Sequence, residues 1–225
     1  MNENADANFI RPTHFLAVQI TDPIIKGKMK EVQDCIVAKE SILENVVVGV
    51  DLAHITLCLL SLPNESTVNE ANKILQRCRD DLMSILDGEP MNLHISGIGH
   101  FDKRVVFAKV VPGDNEEKLK LFSEHFDKEF ALLKSTNPFE YTPHVTLMKL
   151  SKLRSFAMKK KIRQISPKHF EDIEDMDFGH QNVKTVQLLA MSRKKATEYY
   201  FCESDISVDI EESNVETTEA EYAEE

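Results

Sequence analysis

The chain has 225 residues, 42% of them hydrophobic, with only seven glycines and eight prolines. It can bury a substantial core in one domain or two closely packed lobes, and it is unlike a low-complexity chain. Its formal charge of −11 is not uniform: Asp209, Glu211, Glu212, Glu216, Glu219, Glu221, Glu224 and Glu225 fall in residues 209–225 without a Lys or Arg, which leaves the rest at about −3.

That last segment is expected to be a disordered acidic tail, and residues 1–9 a flexible leader, on either side of a folded domain over 10–208. No apolar run approaches the roughly 20 residues that span a bilayer. No secretory leader is read, and the start lacks the second-position glycine of a myristoylation signal. The expectation is therefore a soluble monomer with no membrane partner, in the cytoplasm, with the nucleus as a second compartment. Cys35, Cys58, Cys78 and Cys202 show no metal-ligand spacing and are expected as reduced thiols, with Cys35 and Cys78 on apolar helix faces.

In chain order, Thr13–Ile20 reads as a buried strand, and Ile25, Met29, Val32 and Ile36 follow at helical spacing. Ala53–Leu62 reads as a second strand. Val68, Ala71, Leu75, Cys78, Leu82 and Ile85 step by three and four, the mark of an amphipathic helix. Met91–Ile98 and Arg104–Val111 read as strands around Gly97, Gly99 and a turn near Asp102. Leu119, Phe122, Phe126, Phe130 and Leu133 predict a further helix, and His144–Leu150 a further strand. The stretch 153–175 is expected to be partly helical and interrupted by Pro167, with strands at Val183–Met191 and Glu198–Val208 closing the domain.

Two of these strands carry one motif: His54-Ile55-Thr56 and His144-Val145-Thr146, each running on into leucine. Residues two apart in a strand point the same way, so each triplet presents an imidazole beside a hydroxyl. Two such pairs suit one phosphate: one histidine takes a proton from an attacking oxygen, the other gives one to a leaving oxygen, and Thr56 and Thr146 hold phosphate oxygens. Which histidine takes which part stays open. The scheme requires no metal and no cofactor.

A given His-x-Thr is more often incidental than catalytic, and His94-Ile95-Ser96 is a looser third match running into glycine. It reads as a decoy. Among the remaining histidines, His100 in Gly-Ile-Gly-His-Phe is a candidate cleft residue. Lys149, Lys152, Arg154, Lys159, Lys160, Lys161, Arg163 and Lys168 follow the second triplet with no intervening acid, a candidate rim for an anionic substrate and equally a solvated basic face. There is no nucleophile elbow and no Gly-rich phosphate loop.

The paired triplets, with Phe15-Leu16-Ala17 in the first strand, resemble the two-histidine phosphoesterase superfamily, which includes RNA ligase-like and cyclic-phosphodiesterase proteins. Gly97–Phe101, the run Pro143–Lys152 and Tyr199–Ser204 are similar, more closely, to the central domain of the A-kinase anchoring protein 7 family (gamma and delta forms). The resemblance spans roughly residues 10–208. It implies a bilobal α/β (α+β) RNA ligase-like fold, two mainly antiparallel sheets facing a central cleft with helices outside. It implies His54, Thr56, His144 and Thr146 around the phosphate, binding of AMP or CMP, and metal-independent cleavage of 2′,5′-oligoadenylate; the paired triplets themselves suit 2′,5′-linked or 2′,3′-cyclic RNA-type phosphates.

The alternative it leaves is a non-catalytic AMP- or CMP-binding sensor or scaffold. The tail departs from the family, because Val208, Ile210, Val215, Ala220, Tyr222 and Ala223 form no continuous apolar stripe. Binding of the kinase A regulatory subunit is therefore not expected.

Overall fold

The computed structural model describes residues 10–136, 140–153, 155–192 and 199–210. Among the described residues, eight strands form two four-stranded sheets. The first contains β1 (His14–Gln19), β2 (His54–Leu60), β7 (Thr185–Ala190) and β8 (Phe201–Ser207) in the order β2-β1-β7-β8. The second contains β3 (Asn92–Phe101), β4 (Val105–Val110), β5 (His144–Lys149) and β6 (Asp177–Asn182) in the order β5-β4-β3-β6. Every pairing is antiparallel. The triplet strands β2 and β5 are thus the outer strands of their sheets, and they pack against each other.

Helix α1 (Pro23–Lys39) starts where Asp22 accepts hydrogen bonds from the amides of Ile24 and Ile25, with Pro23 in the first turn. It buries Ile25, Met29, Val32 and Ile36 on one face. Helix α2 (Glu65–Leu86) opens with a reciprocal cap between Asn64 and Thr67, and closes where Asp87 and Gly88 turn left-handed (φ 54° and 77°). Helix α3 spans Asp114–Glu129, and a short helix α4 spans Phe156–Lys161.

Helix α1 follows a strand of the first sheet yet packs on β6 and β5 of the second, whereas α2 packs on β8 and α3 on β2 and α2. The helices therefore lace the two sheets around one shared core. The opposite face of the first sheet carries a small separate cluster of Phe15, Ala17 and Leu189.

Three expectations are corrected. β3 does not stop at Ile98 but runs to Phe101, passing through Gly97 (φ +80°) with a register shift. Helix α3 ends at Glu129, and Phe130 and Leu133 reach the core from the following turn. The strand β6 went unread. Asp-Phe-Gly-His-Gln-Asn has little strand propensity and buries only Phe178 and Gln181, so pairing with β3 holds it as an edge. Expectations about residues 1–9, Arg154, Glu198 and 211–225 fall outside the described residues.

Candidate active site

Each triplet strand contains a bulge one residue beyond its threonine. Thr56 pairs with Ala17 and Cys58 with Leu16, leaving Leu57 unpaired; Thr146 pairs with Phe107 and Met148 with Val106, leaving Leu147 unpaired. The bulge explains the shared apolar residue after each triplet. Leu57 and Leu147 turn into the core at 3% and 0% exposure, and their carbonyls lose a regular ladder partner. Other donors serve them: the Ser123 hydroxyl donates to the Leu57 carbonyl at 2.7 Å, the Val48 backbone amide donates to the Leu147 carbonyl at 2.9 Å, and the Gln33 amide donates to the carbonyls of Leu147 (3.0 Å) and Val48 (2.7 Å).

The two imidazoles are held alike. Nδ1 of His54 lies 2.7 Å from the Leu52 carbonyl, and Nδ1 of His144 lies 2.7 Å from the Thr142 carbonyl. A carbonyl only accepts, so each Nδ1 carries the hydrogen, and in the neutral ring Nε2 is the basic nitrogen. Neutral, that nitrogen is a base; protonated, it is an acid. Burial lowers the pKa of His144, the Thr142 hydrogen bond opposes the shift, and the Lys149 charge adds to it.

Aromatic rings fix each imidazole from the side. His54 lies 4.8 Å from Phe15 and 5.4 Å, edge-on, from Tyr200; His144 lies 5.0 Å, edge-on, from Phe101 and 5.1 Å from Phe107. The surroundings then diverge. Gln19 sits across from His54 on β1, whereas Lys109 sits across from His144 on β4. Phe107 and Lys109 lie flat over two glycines of β3. A Cβ on Gly99 would stand 2.7 Å from the Phe107 ring, and one on Gly97 would stand 3.4 Å from Lys109 Cδ. The first sheet's side of the cleft is apolar, with Leu59, Met191, Tyr199 and Tyr200 packed on Phe15 and Leu189. The second sheet's side is aromatic and cationic.

All four candidate residues, His54, Thr56, His144 and Thr146, are part-exposed on these adjoining strands. His94 lies elsewhere on β3, where it stacks on His180 (4.4 Å) and meets Asp177 (3.0 Å). His100 is not a cleft residue: it points to the face of β3 opposite Phe101 and meets Phe170 at 6.5 Å. The next residue, Phe101, is the one that meets His144. Sequence reasoning missed Phe15, Gln19, Phe101, Phe107, Lys109 and Tyr200 as neighbours. The pairing of β4 with β5 was the signal for Phe107 and Lys109, since alternation puts both on the His144 face once the register is known.

Among the described residues, no three His, Cys, Asp or Glu side chains form a group suited to a metal, and no helix is long and apolar enough to cross a membrane. Cys58 and Cys78 are buried, Cys35 is half-buried and Cys202 is exposed, all with free thiols. Burial pushes Cys78 up to about 12, so it is an inert core thiol.

A family model described as the AKAP7 2′5′ RNA ligase-like domain matches residues 12–208. The chain belongs to this family. A-kinase anchor protein 7 isoform gamma of Homo sapiens is 32% identical over 204 residues, covering 88% of this chain and 58% of the relative. The chain thus spans little more than half the length of that protein. The crystal structure of TT0787 from Thermus thermophilus shares the fold with a TM-score of 0.57 at 19% identity, over 89% of this chain and 100% of that one. E. coli LigT in its apo form gives a TM-score of 0.49 at 18% identity, over 87% and 96%.

Proposed function

We propose that this protein is a phosphodiesterase acting on RNA-type phosphodiesters, 2′,5′-linked oligoadenylate or 2′,3′-cyclic phosphates, with His54 and His144 as its acid–base pair. The observation that carries the reading is the matched tethering of the two imidazoles, each with Nδ1 on a carbonyl two residues upstream. Membership of the RNA ligase-like family supports the substrate class.

His144 is the base in this account, because burial and the neighbouring Lys149 both favour its neutral form. It takes the proton of the attacking hydroxyl or water as the new P–O bond forms. His54 gives its Nε2 proton to the leaving oxygen as the old P–O bond breaks. Thr56 and Thr146, whose hydroxyls share the faces of their histidines, donate to the non-bridging oxygens as charge grows there. Lys109, whose backbone pairs with His144 and whose side chain lies over Gly97 and Gly99 of β3, adds a positive charge to the same face of the sheet. The scheme consumes nothing beyond substrate and proton exchange with solvent.

Incubation with 2′,5′-oligoadenylate and with 2′,3′-cyclic nucleotides in excess chelator tests the proposal. Turnover of either substrate that is lost on substituting His54 or His144 supports it. AMP or CMP binding without turnover of any of these substrates would move the protein to the nucleotide-sensor reading.

A further inference from the structure

The charge at the cleft continues along one edge of the molecule. Phe101, 37% exposed, reaches His144 with its ring edge and ends β3. The turn it enters carries the exposed Lys103 and Arg104, closed by the Arg104 amide on the Phe101 carbonyl at 2.8 Å. The segment after β5 docks on that same turn. The Leu150 amide donates to the Arg104 carbonyl at 2.9 Å, and the Ile165 amide to the Lys103 carbonyl at 2.7 Å.

Leu150, Leu153, Ile162 and Ile165 anchor this segment in the core, while Lys159, Lys160, Lys161, Arg163 and Lys168 are exposed. The apolar residues thus hold a cationic strip in a fixed place beside the turn. Lys149, on β5 itself, lies five residues along the strand from His144 and carries the same positive charge toward the strip. Asp102 is the acid within the turn, and from Lys149 onward the first acid in the chain is Glu171.

We infer that this strip is the track of a single-stranded oligonucleotide. The enzyme's substrate is then a polyanion of several nucleotides, whose scissile phosphate sits between His54 and His144 and whose flanking phosphates run past Phe101 onto Lys103, Arg104 and the α4 lysines. The inference rests on the phosphodiesterase reading and extends it from one phosphate to a strand. Continuity with the cleft favours nucleic acid over another anion, because an exposed aromatic ring leads into the cations and offers a base a stacking face. A free phosphate or a mononucleotide would be served by the cleft alone.

The test reverses the charge of exposed residues remote from the histidines, in the variant K159E/K160E/K161E. Turnover is measured on a 2′,5′-linked adenylate dinucleotide and on the octamer, across a salt series. The variant is expected to process the dinucleotide within about twofold of the wild type. Its KM for the octamer is expected to rise at least about tenfold at unchanged kcat. The dependence of log KM on log salt is expected to flatten by about 2, since each phosphate contact on a single strand contributes about 0.7.

Equal effects on dinucleotide and octamer, or no effect on the octamer, would overturn the inference. If the wild type turns over neither substrate, the phosphodiesterase reading fails by itself. Fluorescence anisotropy of a labelled octamer against wild type and variant then still decides the track, with unchanged affinity counting against it. Anionic phosphatidylserine vesicles form the last arm. Adsorption that is lost in the variant while octamer affinity holds would assign the strip to a lipid surface instead.

Discussion

His144 sits half-buried between Phe101 and Phe107 with Lys149 on its own strand, and both burial and that charge disfavour its imidazolium form. Its pKa therefore lies below the ordinary histidine value of about 6.5. A base works when neutral, so activity rises with pH through that lowered value. The acid limb of kcat/KM is expected to have its midpoint below pH 6.5. Replacing Lys149 by Ala removes one of the causes and should move that midpoint upward, measured on the dinucleotide. A limb that stays in place or moves down would detach His144 from the limb.

Gln33 acts on structure rather than chemistry. Its buried amide serves two carbonyls, those of Val48 and Leu147, beside the second triplet's bulge. Gln33→Leu keeps the volume and removes the donors, so it should cost about 1–3 kcal/mol in a denaturant melt. The triplet residues themselves were legible in the sequence, because type and spacing alone define an imidazole beside a hydroxyl. Lys109 and Phe101 were not, since each meets His144 only through the register of a neighbouring strand.

At the scale of elements, the bulges after Thr56 and Thr146 place the same leucine in the core in both strands and so keep each histidine on the outer face. Strand β3 serves the site by what it lacks. Gly99 leaves space for the Phe107 ring, and a methyl group there would stand 2.7 Å from it. Gly99→Ala should push that ring toward His144. The expected result is a fall in kcat/KM of about tenfold to a hundredfold, the cost of a misplaced catalytic group, with a stability loss of about 1–3 kcal/mol. Parallel melts and kinetics separate the two effects; unaltered kinetics would mean that Phe107 does not position His144.

Periodicity found most helices and strands, and it failed where local preference opposed the fold. Gly97 and Gly99 read as a break, yet β3 continues through them under Phe107 and Lys109. The polar stretch Asp177–Asn182 shows no strand pattern, yet pairing with β3 makes it an edge strand. The end of α3 was misread for a related reason: Phe130 and Leu133 keep helical spacing but reach the core from a turn.

On the scale of the whole molecule, the two sheets repeat one plan: an outer triplet strand, a bulge, a tethered imidazole and flanking aromatic rings. Helix α1 crosses from the first sheet's chain segment to the second sheet's surface and makes the two halves one core. The plan was visible in outline from two triplets in matching contexts. The chemical difference between the halves was not, because an apolar wall around Phe15 and a cationic wall around Lys109 emerge only when strands distant in sequence become neighbours.

In the proposed mechanism, two half-sites on adjoining strands make catalysis a joint property of His54 and His144. The measurement that tests this most directly is kcat of His54→Gln, His144→Gln and the double variant on one dinucleotide substrate. The account predicts that each single variant loses about 10²–10⁴-fold. It also predicts that the double variant is hardly worse than the poorer single, as groups acting in one step are not additive. Full activity in either single variant, or losses that multiply in the double, would contradict a shared acid–base pair.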